Sequence, residues 1–250
     1  MQYWMSANWK MHKTIADAKA LAQGLKDQVN ANLPDDRIVP LFVPFTALTA
    51  VKEILADAPG FRVGAQNFYP EEQGAFTGEI SPMMLKDIGI EWALTGHSER
   101  RHIFGETDDL IGKKTSYGLN QGLTIVFCIG ELIEERKAGR VEEVLTKQLE
   151  IGLADVPADK LPNLGVAYEP VWAIGTGEVA GPTEIEHAHA LTRCWLGKKY
   201  GEAGNAVPIL YGGSVKPETT ASIIAIENVN GVLVGGASLK ADSFSKIVLA

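Results

Sequence analysis

Eight short apolar runs, each followed by a longer stretch of helical or mixed pattern, constrain this chain more than any single motif does. The runs are Tyr3–Ala7, Arg37–Val43, Phe61–Ala65, Trp92–Thr95, Thr124–Cys128, Gly165–Tyr168, Pro208–Tyr211 and Gly231–Val234. Most are nearly unbroken in apolar residues, the pattern expected of parallel strands covered on both faces. Between them, Thr14–Val29 places Ile15, Ala18, Leu21, Ala22 and Leu25 on one helical stripe. Val141–Leu153 does the same with Val141, Val144, Leu145, Gln148 and Leu149. Thr183–Tyr200 follows Pro182, and Thr183 with Glu186 predicts a capping box. Ser81-Pro82 and Pro217 predict further helix starts. Eight such units in 250 residues average about 31 residues each, the size of one βα repeat. Eight is also the number that closes a parallel barrel. The pattern therefore predicts an α/β fold, a single closed eight-stranded parallel (β/α)8 barrel over residues 1–250. The alternative, an open doubly wound sheet, usually carries G-x-G-x-x-G after its first strand, and none stands there.

Composition removes several function classes. Hydrophobic residues are 46% and charged residues 22% of the chain, an ordinary globular mixture with a core large enough to stand without disulfides. Two cysteines, Cys128 and Cys194, are too few for a disulfide scaffold or a four-thiolate zinc site. A net charge of −8 argues against a nucleic-acid surface, so an anionic ligand would need local attraction. The N-terminus has no basic segment leading into a long apolar one, and no stretch approaches the ~20 apolar residues of a membrane span. A cytoplasmic protein with no membrane and no nucleic-acid partner is expected.

In a parallel barrel, function gathers at the C-terminal ends of the strands. The first strand ends in Asn8-Trp9-Lys10 and the fourth in Gly96-His97-Ser98-Glu99. The sixth ends in Glu169-Pro170, the seventh in Gly212-Gly213-Ser214 and the eighth in Gly235-Gly236. A carboxylate, an imidazole and a lysine meeting in one pocket would make a proton-transfer site. Glycine pairs suit a phosphate, because backbone N–H groups approach closely where no Cβ intervenes. Glu169 lies in an apolar setting that would raise its pKa and improve it as a base. His97 precedes a helix start, which disfavours imidazolium and predicts a neutral donor. Taken singly, Lys10 reads as a surface charge, His97 as a loop histidine and the glycines as turns; their shared rim changes the reading. His187 and His189 are two apart on a helix, so they point apart and make a poor metal pair. His97-x-Glu99 has no P-C-x-x-C after it, and H-E-x-x-H, G-x-x-x-x-G-K-[ST] and G-x-S-x-G are missing. No metal and no nucleotide cofactor is expected.

Six segments together resemble the triosephosphate isomerase family. They are Asn8–Met11, Gly74–Glu79, Gly96–Arg101, Tyr168–Gly177, Tyr211–Val215 and Gly235–Leu239, in the family's order over nearly the whole chain. The resemblance implies a TIM barrel that interconverts dihydroxyacetone phosphate and D-glyceraldehyde 3-phosphate, in glycolysis and gluconeogenesis. Carried over residue by residue, it implies Glu169 as the base and His97 as the electrophile that shuttles protons between oxygens. Lys10 would supply positive charge, Asn8 would orient the substrate oxygens and Glu99 would lie near Lys10. Gly175, Ser214, Gly235 and Gly236 would hold the phosphate. Pro170, Val171, Trp172, Ala173, Ile174, Gly175, Thr176 and Gly177 would form a lid.

The segment Gln66–Ser81 has no periodicity yet carries Phe68, Tyr69 and Phe76. A self-packed surface loop and a partner-contacting loop both fit, and the second is preferred. The resemblance implies that it docks into a second subunit, with Phe76 and Thr77 at the contact, and hence a homodimer. Departures are small: Ala7 replaces a frequent glycine, and His12 replaces a frequent asparagine and is expected outside the catalytic shell. Cys128 is expected to be a packing residue. Two other classes remain open on the residues alone. A different phosphate-binding barrel enzyme would share the glycine pairs without Lys10, His97 and Glu169 together, and a non-catalytic barrel would have lost one of the three.

Overall fold

The structure, a computed structural model, describes residues 2–174 and 178–250. Among them eight strands occur: β1 (Tyr3–Asn8), β2 (Arg37–Val43), β3 (Phe61–Ala65), β4 (Trp92–Thr95), β5 (Thr124–Ile129), β6 (Leu164–Tyr168), β7 (Ile209–Tyr211) and β8 (Gly231–Val234). Every neighbouring pair is parallel, and β8 pairs back onto β1 through Trp4↔Gly231 to Ala7↔Val234, closing the barrel. The predicted barrel is thus observed, with four strand ends moved by one residue and the others unchanged.

Alternate residues of each strand divide between two cores. Trp4, Ile38, Phe42, Trp92, Leu94, Val126, Cys128, Ala167, Leu210 and Leu233 fill the barrel interior. Met5, Ala7, Val39, Leu41, Val43, Ile125, Phe127, Val166 and their neighbours pack outward against the helices. This two-sided burial explains the unbroken apolar runs. Large rings inside the barrel face glycines: a Cβ on Gly165 would come within 2.6 Å of the Trp4 ring, and one on Gly64 within 2.6 Å of the Phe42 ring. Trp4 also meets Trp92 edge-on, with ring centroids 4.8 Å apart. The floor of the barrel is therefore solid, and only the opposite rim is free for a ligand.

The helices start where the sequence signals lie, with one exception. Thr14 caps Ile15–Val29 in a capping box with Asp17, and Ser81 caps Pro82–Asp87. The helix Pro217–Ile224 opens on its proline. The capping box expected of Thr183 and Glu186 does not form, because Pro182 already occupies the first helical position and Gly181 is the cap. A proline's fixed φ starts the helix one residue before Thr183, which places the threonine inside the first turn.

The aperiodic 66–81 connection is anchored rather than loose. Phe68 is fully buried, the Tyr69 N–H donates to Ile80 O at 2.8 Å, and the Tyr69 and Phe76 rings pack at 4.5 Å. Residues 71–79 between these anchors are exposed. No helix among the described residues is long and apolar enough to cross a membrane.

Trp4→Ala would remove one of the two indole rings of the barrel floor. It should lower unfolding stability by about 3–5 kcal/mol in urea titrations, while the kcat of the folded protein stays close to the parent value.

Candidate active site

The rim formed by the strand C-termini opens into a cavity of about 420 Å³ lined by Asn8, Lys10, His97, Glu169, Ile174, Ser214, Gly235 and Gly236 among others. Seven of the expected catalytic and phosphate-binding residues, Asn8, Lys10, His97, Glu169, Ser214, Gly235 and Gly236, thus converge from the ends of β1, β4, β6, β7 and β8. Glu99 completes the group through Lys10, whose Nζ donates to Glu99 Oε1 at 2.7 Å. Gly175, Thr176 and Gly177 lie outside the described residues.

Each side chain is held by local backbone chemistry. Lys10 has φ 51°, in the left-handed region, at a cost on the order of 1 kcal/mol. Its N–H donates to Asn8 Oδ1 at 2.9 Å, and Gln66 Nε2 donates to Lys10 O at 2.9 Å. These bonds sustain the strained turn that aims the lysine across the mouth. A Cβ on Gly235 would approach Lys10 Cε to 3.1 Å, so the glycine leaves room for that crossing.

His97 follows Gly96, whose φ of +70° favours glycine. Arg101 clamps this turn: Nε donates to Gly96 O at 2.7 Å and Nη2 to Cys128 O at 3.0 Å, and the guanidinium pairs with Asp108. His97 caps the short helix Ser98–His102, and its Nδ1 accepts the Glu99 N–H at 3.2 Å. A nitrogen that accepts has a free lone pair, so the ring in this arrangement is neutral with its hydrogen on Nε2. That Nε2 lies 3.0 Å from Glu169 Oε1.

Glu169 is buried, and its Oε2 accepts the Ser98 N–H at 2.9 Å. Here the expected upward push of burial meets opposing groups. Burial pushes the carboxyl up, while the His97 Nε2–H, the Ser98 N–H and the Lys10 charge pull it down; with the His97 ring also charged, the pull prevails and holds Glu169 below the ordinary glutamate value. The apolar neighbours in sequence were visible; the donors come from β4 and β1 and were not. Cys128 lies in the barrel interior, where burial and the nearby Glu169 charge push its thiol well up, in keeping with a packing role.

The glycine pairs serve more than a ligand. A Cβ on Gly212 would meet Glu169 Cγ at 2.8 Å, and one on Gly213 would meet the Tyr211 hydroxyl at 2.2 Å. Gly130, which sequence reasoning passed over, is tighter still: its Cβ would overlap Glu169 O at 1.7 Å. Gln148, placed by periodicity on an apolar stripe, instead bonds both groups of Gly130, accepting its N–H at 2.8 Å and donating to its carbonyl at 3.0 Å. A buried glutamine within an apolar helix face was the available signal. Beyond Glu169, Pro170 leads into a 3-10 turn, Val171–Ala173. Its Trp172 Nε1 donates to the buried Glu131 Oε1 at 2.8 Å, which Tyr168 and Arg136 also reach at 3.0 and 3.2 Å. His12, expected outside the catalytic shell, lines the same cavity and is exposed at its edge.

A closed parallel barrel with a carboxylate, a neutral imidazole and an ammonium at its mouth defines an enzyme of the barrel class equipped for proton transfer. Comparison with known proteins narrows the class. The sequence model of the triosephosphate isomerase family matches residues 3–250. A triosephosphate isomerase of Nitratidesulfovibrio vulgaris (strain Miyazaki F) is 59% identical over 251 residues, covering all of both chains. One from Oleidesulfovibrio alaskensis is 52% identical over the full length of both, and one from Lawsonia intracellularis is 49% identical over all of this chain and 98% of its own. The chain belongs to the triosephosphate isomerase family. It is an isomerase that interconverts dihydroxyacetone phosphate and D-glyceraldehyde 3-phosphate, a step of glycolysis.

One buried histidine supports the site from behind. His187 is exposed while His189 is fully buried, as their spacing predicts. His189 Nδ1 donates to Asn228 O at 3.1 Å, and its ring meets Tyr168, the residue before Glu169, edge-on at 6.0 Å. Burial lowers its pKa from 6.5 to about 4. The unfolded chain therefore takes up the proton first, and stability falls as pH drops from about 6.5 to about 4, by an amount on the order of 3 kcal/mol. His189→Asn should flatten the pH dependence of the unfolding free energy across this window, measured by urea titration at successive pH values.

Proposed function

We propose that Glu169, His97, Lys10 and Asn8 carry out the isomerisation together, with Glu169 as the base that moves a proton between the two carbons. The observation that carries this reading is the 3.0 Å pairing of Glu169 Oε1 with the neutral His97 Nε2–H in the cavity shared with Lys10. The proton next to a carbonyl is weakly acidic, so the developing enediolate oxygen needs preorganised donors in a dry pocket. The His97 Nε2–H is such a donor, and as it passes its hydrogen to one oxygen it can take one from the other. Lys10 adds positive charge and Asn8 orients the oxygens. Glu99 holds the lysine in place.

Both Glu169 oxygens are engaged, by His97 and by the Ser98 N–H. Substrate that takes the His97 hydrogen for its own carbonyl removes one donor that stabilises the Glu169 carboxylate and leaves burial in place. The carboxylate then becomes more basic when there is a carbon acid to attack. The phosphate group is read at Ser214, Gly235 and Gly236, with Gly175 contributing from the 170–177 lid.

The same reading extends to a single 1–250 domain that works as a homodimer in the cytoplasm. Support for the dimer comes from Met11, Ile103 and Phe104, which are 95%, 72% and 67% exposed, and from the exposed Phe76 and Thr77. A soluble monomer gains nothing from so many bare apolar side chains.

A coupled assay on glyceraldehyde 3-phosphate tests the whole assignment. Glu169→Gln should cost roughly 10²–10⁴ in kcat, the usual worth of a positioned base, and His97→Gln about 10²–10³. Variants within twofold of the parent would reject the roles. Activity per chain should also fall as the protein is diluted below its dimer dissociation constant, followed by light scattering at matched concentrations. Shortening the lid should raise methylglyoxal formation relative to isomerisation, because an exposed enediolate can expel its phosphate.

A further inference from the structure

Lys216 follows the Gly212-Gly213-Ser214 turn after β7 and lines the same cavity as Lys10, His97 and Glu169. It is exposed, and its ammonium makes no ion pair among the described residues. Lys10 and Lys216 are the only lysines or arginines among the described lining residues.

Charge bookkeeping at the mouth gives this lysine its interest. The positive charge of Lys10 is matched by Glu99 at 2.7 Å, and Glu169 adds a further carboxylate. Without Lys216 the formal charge of this group is negative, in a chain whose net charge is −8. A phosphate dianion would approach such a mouth against the field. Lys216 offsets the remaining carboxylate. Its local position also runs against helix electrostatics. Lys216 is the cap residue of the helix Pro217–Ile224, where the positive end of the helix dipole disfavours a cation. A residue that breaks a local rule without a local gain points to a role elsewhere, and here the cavity supplies it.

We propose that Lys216 is a positioning residue that draws the substrate's phosphate dianion to the rim before the group seats against Ser214, Gly235 and Gly236. The proposal rests on the placement of the phosphate at those residues given above. Lys216 does not contact the reacting carbons, so its charge acts on capture rather than on the proton transfer. It acts through space across water, and salt screens it.

The test is Lys216→Gln, with Lys216→Arg as the charge-preserving control. Glutamine keeps the backbone N–H that donates to Thr219 Oγ1 at 3.2 Å, so the helix start is undisturbed. At ~0.01 M ionic strength, where screening reaches only over ~30 Å, kcat/KM for glyceraldehyde 3-phosphate should fall roughly fivefold with kcat within twofold of the parent. The competitive inhibition constant for inorganic phosphate should rise by a similar factor. At ~1 M sodium chloride the deficit should vanish, because the screening length is then ~3 Å. Isomerisation of uncharged D-glyceraldehyde should be unaffected, and Lys216→Arg should behave as the parent. An unchanged kcat/KM at low salt, an equal loss on D-glyceraldehyde, or a deficit that survives high salt would each overturn the proposal. Failure of the parent chain to bind inorganic phosphate competitively would overturn the phosphate placement itself, which separates the two.

Discussion

The hydrogen-bonded return of β8 onto β1 is the constraint on which the site depends. Because all eight strands run parallel, closure puts every C-terminal end on one rim. Residues 8, 97 and 169, far apart in the chain, thereby become neighbours around one cavity. An open sheet of the same strands would leave the first and last of them at opposite edges. The Trp4-filled floor matters for the same reason: it makes the other end solid, so ligand access is from one side.

Within that frame the carboxylate is the best-determined group. Glu169 is fixed from below by the close approach of Gly130 and Gly212 to its backbone and Cγ, and from the side by His97 and the Ser98 N–H. Burial alone would favour a protonated carboxyl. The donors oppose this and stabilise the ionised base in an apolar setting. A base held this way is ready without being fully exposed to water, and its basicity depends on what the substrate displaces. The glycines around it are packing devices first, since any Cβ at Gly130 would collide with the main chain of Glu169.

Electrostatics at the rim follows a second logic. The Lys10–Glu99 pair orients the lysine but cancels much of its field at a distance. Affinity for a dianion must then come from short-range backbone donors and from a less compensated charge farther out. This division separates the groups that act on the reacting carbons from those that act on the approach.

Much of this was legible in the chain itself. The count and apolar character of the strands follow from two-sided burial, which writes itself as unbroken runs, and it specified the barrel. The rule that parallel barrels act at their strand ends selected Asn8, Lys10, His97, Glu169, Ser214 and the glycine pairs before any contact was seen. Helix starts at Ser81 and Pro217 were readable because caps and prolines act locally. What depended on distant partners was not. The groups that oppose burial at Glu169 stayed hidden because they arrive from other strands. Gln148 sat on an apolar stripe by period because only tertiary packing brings Gly130 to it, and Gly130 itself was not singled out. Sequence determined which chemistry the rim could hold, because residue type and strand position are written along the chain. Tertiary structure alone decided protonation, orientation and charge balance, because these are set by groups that meet only when the cylinder closes.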